Sequence, residues 1–398
     1  MSHPAVASAD RYGAHNYHPL DVVLVRGEGA YVWDADGHRY LDFLSAYSAV
    51  NQGHCHPRIG AALVAQAQRL TLSSRAFHND RLGPFLEKLH TFSGFDRALL
   101  MNSGAEACET AIKAMRKWGY RHRGIPEDCA EIIVARDNFH GRTTTIVSFS
   151  TEAQYRAGFG PFTPGFPVVP FGDASAIERA IGPNTAAVFL EPIQGEAGIL
   201  VPPPGYLAAV RSICDRHGVL LILDEIQTGL GRTGRRFCFE HDGIRPDGVT
   251  IGKALSGGYY PISAFLASDA VMSVFQPGDH GSTFGGNPLA CAVGEAALDV
   301  IVDERLAERA DELGTEFLAA LRAIGGPHIR EVRGRGLLIG VEIREDSGPA
   351  RPFCYALKKH GLLCKETHVQ TIRFAPPLVV GRDDLARALD TIAAVIGG

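Results

Sequence analysis

The residues of this chain best suited to chemistry are a lysine and an aspartate, each at the end of an apolar run. Lys253 follows the β-branched run 249–251, and Asp224 ends the apolar run 219–224. An enzyme that uses pyridoxal phosphate (PLP) needs such a pair. The lysine amine forms a Schiff base with the cofactor aldehyde, and the acid pairs with the protonated pyridine nitrogen. A lone lysine is ordinarily a solvated surface charge, but Lys253 has small neighbours and a matching acid, so the pair predicts PLP as cofactor.

Polar clusters follow several predicted β-strands, and helix-like stretches separate these strands along the chain. The strands are predicted at 98–101, 131–135 and 186–190, and before Asp224 and Lys253. This alternation is typical of a mostly parallel sheet covered by helices. Ligands bind beyond the carboxyl ends of the strands in such sheets, so we expect the polar clusters to meet along one edge.

Further candidate cofactor contacts lie in these clusters and in a glycine-rich loop. The run 102–106 is a predicted strand-to-helix turn, where Gly104 lets the backbone approach a ligand and free N–H groups favour a phosphate. Phe139 could stack on a pyridine ring, and Gln227 could hydrogen-bond the phenolic oxygen of the cofactor. The loop 280–288 carries two hydroxyl side chains that suit a phosphate. Each feature also has an ordinary explanation, as a helix N-cap, a core ring, a loop amide or a flexible loop.

Three other motifs have different interpretations. Arg142 lies in a Gly-Arg-Thr loop, and a guanidinium suits bidentate capture of a carboxylate, although an isolated arginine is ordinarily a surface charge. The run GLGRTG at 229–234 matches the G-x-G-x-x-G dinucleotide fingerprint. It does not directly follow a strand and no clear helix comes after it, so we expect no dinucleotide site. The run HCH at 54–56 has metal-binding residue types, but neighbouring side chains diverge, so we expect no metal.

Composition restricts the remaining function classes. The chain has 398 residues, of which 45% are hydrophobic, and a formal net charge of −5. It has no basic block, so we expect neither nucleic acid nor an anionic membrane as partner. No apolar run reaches the length of a membrane span, and we expect no secretory signal. Eight scattered cysteines without a C-x-x-C pair indicate reduced thiols and a cytoplasmic location.

The pattern along the chain predicts two domains. The alternating strands and helices form a large domain over 52–287. A smaller α+β domain combines the N-terminal segment 1–51 with residues 288–398, where long amphipathic helices lead to short strands. Within the N-terminal segment, residues 31–43 are predicted to form a hairpin.

Over nearly its whole length the chain resembles the class III (subgroup II) aminotransferases, and within them the ornithine δ-aminotransferase branch. The motifs GKALSGG around Lys253 and DEIQTG from Asp224 indicate the class. The tyrosine-bearing motifs NYHPL and SAYSAVNQGHCHP indicate the ornithine branch, and LEPIQGEAG, HGSTFGG and IRFAPP also match. The resemblance implies an α/β fold of the PLP-dependent transferase fold type I. It also implies a homodimer with each active site at the subunit interface.

The resemblance further implies a set of cofactor contacts. The phosphate is bound by Ser103, Gly104 and Ala105, and by Ser282 and Thr283 of the partner subunit. The remaining implied contacts are Phe139 on the ring, Asp224 at the ring nitrogen, Gln227 at the phenolic oxygen and Lys253 as the Schiff-base lysine. No metal belongs to this set.

The resemblance also implies the substrate contacts. Tyr17 and Arg142 hold the α-amino and α-carboxylate ends of ornithine, which turns the δ-amine toward the cofactor, and Tyr47 selects against smaller ω-amino acids. Glu196 and Arg373 form a switch. With ornithine bound, Glu196 neutralises Arg373, and with glutamate or 2-oxoglutarate it moves away so that Arg373 binds the α-carboxylate. An unpaired buried charge costs roughly 3–5 kcal/mol, which is enough to steer orientation. Without the resemblance, the two could be unrelated surface residues.

The implied reaction transfers the δ-amino group of L-ornithine to 2-oxoglutarate by a ping-pong route and yields glutamate 5-semialdehyde and glutamate. Three alternatives remain. The first is an acetylornithine or 4-aminobutyrate aminotransferase, the second a PLP decarboxylase or aminomutase, and the third a non-enzymatic regulator. His140 and His78 stand where relatives carry aromatic residues such as Trp and Tyr, which leaves the fine shape of the substrate mouth open.

Overall fold

The computed structural model describes residues 3–398, which form strands, α-helices and short 3₁₀ helices. The strands are β1 (Leu24–Glu28), β2 (Tyr31–Asp34), β3 (Arg39–Asp42), β4 (Arg97–Met101), β5 (Glu131–Ala135), β6 (Val168–Val169), β7 (Thr185–Leu190), β8 (Leu220–Asp224), β9 (Gly248–Ile251), β10 (Ser263–Ala267), β11 (Ile329–Arg335), β12 (Leu338–Ile343), β13 (Leu362–Leu363), β14 (Lys365–Thr367) and β15 (Thr371–Phe374). The α-helices are α1 (Pro4–Tyr12), α2 (Ser45–Ser48), α3 (Pro57–Ala67), α4 (Leu82–Ser93), α5 (Gly104–His122), α6 (Thr144–Ser148), α7 (Ala153–Arg156), α8 (Ala174–Ala180), α9 (Tyr206–His217), α10 (Asp269–Met272), α11 (Pro288–Asp303), α12 (Leu306–Ile324), α13 (Arg351–Lys359) and α14 (Arg382–Ile396). The 3₁₀ helices are Cys238–Asp242, Lys253–Ser256 and Glu345–Ser347.

A seven-stranded sheet with the order β4-β10-β9-β8-β7-β5-β6 forms the centre of the fold. Strand β10 runs antiparallel to both of its neighbours, and the other paired strands run parallel. The residues of β7, β8, β9 and β10 are buried, because helices cover both faces of the sheet. The predicted α/β architecture and the predicted strands at 98–101, 131–135 and 186–190 are confirmed.

Helix α5 shows how the sequence builds this layer. Its apolar positions Cys108, Ile112 and Met115 recur at helical spacing and are buried against the sheet. The helix begins at the turn after β4, so the same local sequence sets both the packing and the direction of its N-terminus. That N-terminus points to the sheet edge where the polar clusters follow the strands.

Two smaller sheets flank the central one. The predicted hairpin is confirmed as β2 and β3, and β3 pairs in parallel with β13 near the other end of the chain. The second small sheet is antiparallel, with the order β11-β12-β15-β14. The first of these sheets joins N-terminal to C-terminal residues. The boundaries at 51/52 and 287/288 stay predictions.

One expectation for the C-terminal helices is wrong. Helix α12 is amphipathic as predicted, but α11 is buried on most of its faces. It packs against α3, α4 and α12, so it is a core helix and not a surface helix. Despite that apolar character, none of the helices within residues 3–398 has the length and hydropathy needed to cross a membrane.

Candidate active site

The polar clusters after the central strands surround two adjoining cavities. The smaller cavity has a volume of about 210 Å³ and is lined by Gly104, Ala105, Phe139, His140, Glu191, Asp224, Gln227 and Lys253, among others. The larger cavity has a volume of about 780 Å³ and also includes Tyr17, Tyr47 and Arg142. Phe139, Glu196 and Lys253 line both. The predicted acid and lysine therefore face one space, which widens toward the predicted substrate residues.

Lys253 begins the 3₁₀ helix that follows β9, and its backbone is strained. Its φ is +45°, in the left-handed region that non-glycine residues seldom adopt. Such strain persists where the surroundings impose it, and it is common at functional sites. Burial lowers the pKa of the Lys253 amine, with Glu196 opposing and Arg373 reinforcing that shift. The amine is therefore a better base near neutral pH than a lysine in solvent.

Asp224 is buried at the end of β8 and keeps its charge through hydrogen bonds. The Nδ1 atom of His140 lies 2.7 Å from one carboxylate oxygen, and the Ile226 amide donates to the other over 3.0 Å. The thiol of Cys108 lies 3.4 Å from the oxygen that His140 contacts. Although burial opposes ionisation, the contact with His140 and the other donors hold the pKa of Asp224 below its usual value. The site therefore presents a fixed anion to the cavity.

His140 lines the smaller cavity and not the larger one. Its side chain is fully buried and stacks on Phe189 at a ring separation of 4.1 Å. The His140 side chain contacts the Asp224 carboxylate. Sequence reasoning missed this contact because the two residues follow different strands. His78 is exposed and lines neither cavity.

Glu191, directly after β7, is a second site residue that sequence reasoning did not single out. One of its carboxyl oxygens accepts the backbone N–H of Phe139 over 2.9 Å. Burial, and then the charge of Asp224, raises the pKa of Glu191 well above the usual value. Glu191 therefore holds the backbone of the predicted stacking ring in place. The position of Glu191 directly after a predicted strand could have identified it as a site residue from the sequence.

The predicted phosphate end lies at the start of α5. Ser103 is the N-cap, and its hydroxyl accepts the Glu106 amide while Glu106 accepts the Ser103 amide in return. Gly104 and Ala105 begin the helix, where backbone N–H groups remain free for an anion. The ordinary N-cap explanation and the phosphate prediction are thus compatible. The Ser282 hydroxyl accepts from Asn102 of its own chain over 2.9 Å, and Thr283 is exposed.

The structure brings Glu196 and Arg373 together although they lie 177 positions apart in the chain. Arg373 is buried, and its Nη2 donates to Glu196 over 2.8 Å and to the Thr367 hydroxyl over 3.0 Å. Gln227 donates to the same Glu196 oxygen over 3.2 Å. Burial opposes ionisation of Glu196, but Arg373 and Lys253 lower its pKa to about 2. The two predicted switch residues form a buried ion pair and are not separate surface groups.

Tyr47 lies on an unusual element beside this ion pair. All four residues of α2 have positive φ, from 41° at Ser45 to 69° at Ser48, so this single turn is left-handed. Each such residue costs roughly 1–2 kcal/mol relative to the right-handed form. The turn places the Tyr47 ring 5.4 Å from the guanidinium carbon of Arg373. Burial, and then the charge of Glu196, raises the pKa of the Tyr47 hydroxyl.

Arg142 lies at the wall of the larger cavity between two aromatic rings. Its guanidinium carbon is 4.3 Å from the Tyr155 ring and 5.8 Å from the Phe139 ring. Sequence reasoning missed Tyr155, which lies on the short helix α7 and belongs to no strand end or motif. Tyr17 lines the same cavity and is 70% exposed in the single chain.

These residues fit a PLP molecule. The smaller cavity combines an ionised aspartate, a lysine with a lowered pKa, an aromatic ring and a helix N-terminus. The buried Oε1 of Gln227 has no hydrogen-bond partner among residues 3–398, so it can accept a hydrogen bond from a ligand. The cavity therefore offers a complementary group for each part of PLP: its pyridine nitrogen, aldehyde, ring face, phosphate and phenolic oxygen.

Comparisons with known proteins agree with this chemistry. The family described as aminotransferase class-III matches residues 12–396. A protein of Bordetella pertussis named ornithine aminotransferase is 58% identical over 100% of this chain and 97% of its own length. The crystal structure of an ornithine aminotransferase from Toxoplasma gondii is 48% identical with a TM-score of 0.97, and the match covers 98% of this chain and 94% of that one. An acetylornithine aminotransferase structure from Elizabethkingia anophelis is 47% identical with a TM-score of 0.89, and covers 98% of both chains.

Proposed function

Because the chain belongs to the class III aminotransferases, we propose that it transfers the δ-amino group of L-ornithine to 2-oxoglutarate with PLP as cofactor. Its α/β architecture is that of the fold type I PLP-dependent transferases. The products are glutamate 5-semialdehyde and glutamate, formed in two half-reactions that share one site. The observation that carries this proposal is the single space faced by Lys253, Asp224, Glu196 and Tyr47.

Five groups of the smaller cavity are proposed to hold and tune the cofactor. When bound, PLP supplies an electron sink for the substrate carbon that loses its proton. Asp224 provides the fixed negative charge for the ring nitrogen, and Phe139 covers one ring face. The N-terminus of α5 and Gln227 receive the phosphate and the phenolic oxygen. Lys253, whose amine is free for chemistry once substrate binds, moves the proton from the substrate carbon.

The larger cavity is proposed to choose which end of the donor reacts. Tyr17 and Arg142 receive the α-amino and α-carboxylate groups of ornithine, which leaves the δ-amine directed at Lys253. Glu196 neutralises Arg373 during this half-reaction, so the arginine does not attract the α-carboxylate of the donor. In the second half-reaction the α-carboxylate of 2-oxoglutarate takes the place of Glu196 on Arg373. One pocket thereby accepts two substrates that differ in charge.

The ornithine assignment is preferred to acetylornithine for two reasons. Relatives named ornithine aminotransferase reach 55–58% identity over nearly the full chain. Among the solved structures, an ornithine and an acetylornithine aminotransferase are nearly equal at 48% and 47%, but the TM-score is 0.97 for the first and 0.89 for the second. The exposed side chain of Tyr17 also suits a free α-amino group, because its hydroxyl can accept a hydrogen bond from an ammonium group. An acetylated amine carries no such charge.

A donor panel with 2-oxoglutarate tests this function. Ornithine, acetylornithine and 4-aminobutyrate are compared at equal concentration, and aldehyde formation is followed. We expect the largest kcat/KM for ornithine, and a larger value for either other amine would overturn the assignment. Ornithine alone, without oxo acid, should convert the cofactor to its aminated form. Release of CO₂ in that experiment would instead identify a decarboxylase.

We also propose a homodimer in which Ser282 and Thr283 of the partner subunit complete the phosphate site. Support comes from the exposed apolar surface near these residues, since Phe284 is 47% and Phe77 74% exposed in the single chain. Sedimentation or light scattering measures the mass. Thr283→Ala should weaken PLP retention without dissociating the dimer, and a monomer with full activity would contradict the proposal.

A cytoplasmic location and the two domain boundaries belong to the same proposal. All eight cysteines are unpaired, as expected in a reducing compartment. Limited proteolysis that cuts near residues 51 and 287 would support the boundaries. Cell fractionation would check the location.

A further inference from the structure

The GLGRTG motif at 229–234, to which no substrate contact is assigned, contains Arg232, one of the two fully buried arginines among the described residues. No carboxylate lies within ion-pair distance of Arg232 in residues 3–398. Burying an arginine without a carboxylate is costly unless neutral acceptors satisfy its donors. Because burying Arg232 has this cost, and because it lies one loop away from the active site, we expect it to have a role there.

The donors of Arg232 reach three separate parts of the chain. Its Nη1 donates to the backbone carbonyls of Leu337, before β12, over 2.9 Å and of Pro376, after β15, over 2.6 Å. Its Nη2 donates to the Asn51 side chain over 2.6 Å and to the Ser45 hydroxyl over 3.2 Å. One guanidinium thus cross-links the segment around α2 to the two strands β12 and β15.

Both anchored segments carry a residue of the proposed substrate pocket. Tyr47 lies two positions after Ser45, and Arg373 lies two positions before Ala375. The Ser45 hydroxyl also donates to the Ala375 carbonyl over 2.6 Å, so the segments are tied directly as well. The guanidinium carbon of Arg373 and the Tyr47 ring are 5.4 Å apart, and Arg232 holds the backbone behind each of them.

The left-handed conformation of α2 makes these ties necessary. Four successive non-glycine residues with positive φ would relax to another conformation unless the surroundings held them. Relaxation of this turn would move the Tyr47 ring relative to Arg373, since Tyr47 is one of the four residues. Displacements of about 1 Å in substrate-positioning groups can reduce rates by up to about 10²-fold.

We propose that Arg232 is a positioning residue that sets the separation of Tyr47 and Arg373 and thereby the preference of the enzyme among amine donors. The inference rests on the proposed ornithine transfer, because it assigns Tyr47 and Arg373 to the substrates. Arg232 itself touches neither substrate nor cofactor. Its effect passes through the backbone of α2 and of the segment after β15.

The test uses Arg232→Lys in the PLP-loaded enzyme, with Ser45→Ala as a milder break of the same link. For each, kcat/KM is measured for ornithine and 4-aminobutyrate, together with KM for 2-oxoglutarate, the cofactor absorbance and Tm. We expect the ornithine to 4-aminobutyrate ratio to fall roughly tenfold or more in Arg232→Lys. KM for 2-oxoglutarate should rise, and the cofactor spectrum should stay unchanged. Ser45→Ala should shift the same quantities in the same direction by less.

The matched control is Arg211→Lys. Arg211 is a largely buried arginine on α9 that donates to Asp247 and lines neither active-site cavity. It should lower Tm without changing the donor ratio. A lower Tm with an unchanged ratio in Arg232→Lys would reduce Arg232 to a purely structural residue and overturn the inference. Should Arg232→Lys not fold, an unchanged ratio in Ser45→Ala would overturn it equally.

Failure of the inference and failure of the proposed function are separable in these data. Wild-type enzyme that prefers another donor would overturn the ornithine assignment. KM for 2-oxoglutarate, measured with whichever donor is best, would still report on Arg373. A normal KM in Arg232→Lys would then contradict the positioning role.

Discussion

The two cavities of the active site are built in opposite ways. The cofactor cavity takes Ala105, Phe139, Glu191, Asp224 and Lys253 from the ends of neighbouring strands in one sheet, so the register of that sheet positions them. The substrate cavity takes its selective residues from a left-handed turn, a loop after β7 and a strand of another sheet. Hydrogen bonds between segments that are distant in the chain position these selective residues. Chemistry and selectivity are therefore supported by different structures and should be separable by mutation.

The largest expected effect is on the cofactor side. Lys253→Ala removes the group proposed to hold the cofactor and move the proton, so turnover should fall by about 10⁴-fold or more for every donor. The assay is steady-state aldehyde formation, with the dimer mass measured in parallel. Lys88→Ala, which removes a lysine bonded to Asp299 far from both cavities, is the control and should keep full activity. Retained turnover in Lys253→Ala would remove the basis of the mechanism.

Asp224→Asn tests the cofactor cavity by removing its fixed negative charge. A neutral amide no longer stabilises a protonated ring nitrogen, and loss of a buried charge partner costs roughly 3–5 kcal/mol, which corresponds to about 10² to 5 × 10³-fold in kcat. The ratio of rates for ornithine and 4-aminobutyrate should not change, because the substrate cavity is untouched. Asp215→Asn, on the surface of α9, is the control. A shift in the ratio would show that the two cavities are not independent.

Glu196→Gln tests the substrate cavity. Without the carboxylate, Arg373 is left as an unpaired buried cation that attracts the carboxylate of competing donors. We expect the ornithine to 4-aminobutyrate ratio in kcat/KM to fall roughly tenfold, or about 1.4 kcal/mol, with little change in the cofactor spectrum. Glu366→Gln, in the same cavity but paired with Arg351, is the matched control. An unchanged ratio in Glu196→Gln would argue against the switch.

The pH dependence of that selectivity sharpens the same test. Because Arg373 and Lys253 lower the pKa of Glu196 to about 2, the carboxylate stays ionised throughout the range of an activity assay. The donor ratio of the wild-type enzyme should therefore be flat between about pH 6 and pH 9. A ratio that changes with a midpoint in this range would mean that another group controls the choice.

The smallest expected effect concerns the loop that leads from the cofactor cavity to Arg232. Burial raises the pKa of Glu225 to about 7, while the carboxylate accepts hydrogen bonds from Thr228 and the Phe239 amide. This folded-state pKa lies above the unfolded value of about 4.3, so its stabilising contribution is full below that value and is lost as pH rises through 7. The free energy of unfolding should drop by about 1 kcal/mol between pH 6 and pH 8. Glu225→Gln should remove that dependence, which urea denaturation at each pH would measure.

The strand-end residues were predictable because their signals are local. The apolar runs before Asp224 and Lys253, and the turn before α5, mark the edge of a parallel sheet without any knowledge of distant contacts. The partners that tune these residues were not predictable in this way. His140 behind Asp224, and Glu191 under the Phe139 amide, pair residues from different strands, and a single sequence contains no sign of such pairing.

The sequence by itself determined the class of chemistry, since a lysine and an acid at successive strand ends specify a cofactor with an aldehyde and a basic ring nitrogen. Its motifs also indicated a family of enzymes that bind two substrates in turn. Only the tertiary structure decided that α2 is left-handed, that His140 contacts Asp224, and that Arg232 ties the segments of Tyr47 and Arg373 together. The physical reason is the distance along the chain over which each signal acts. Strand and helix signals arise from neighbouring residues, whereas these arrangements depend on hydrogen bonds between segments that meet only after folding.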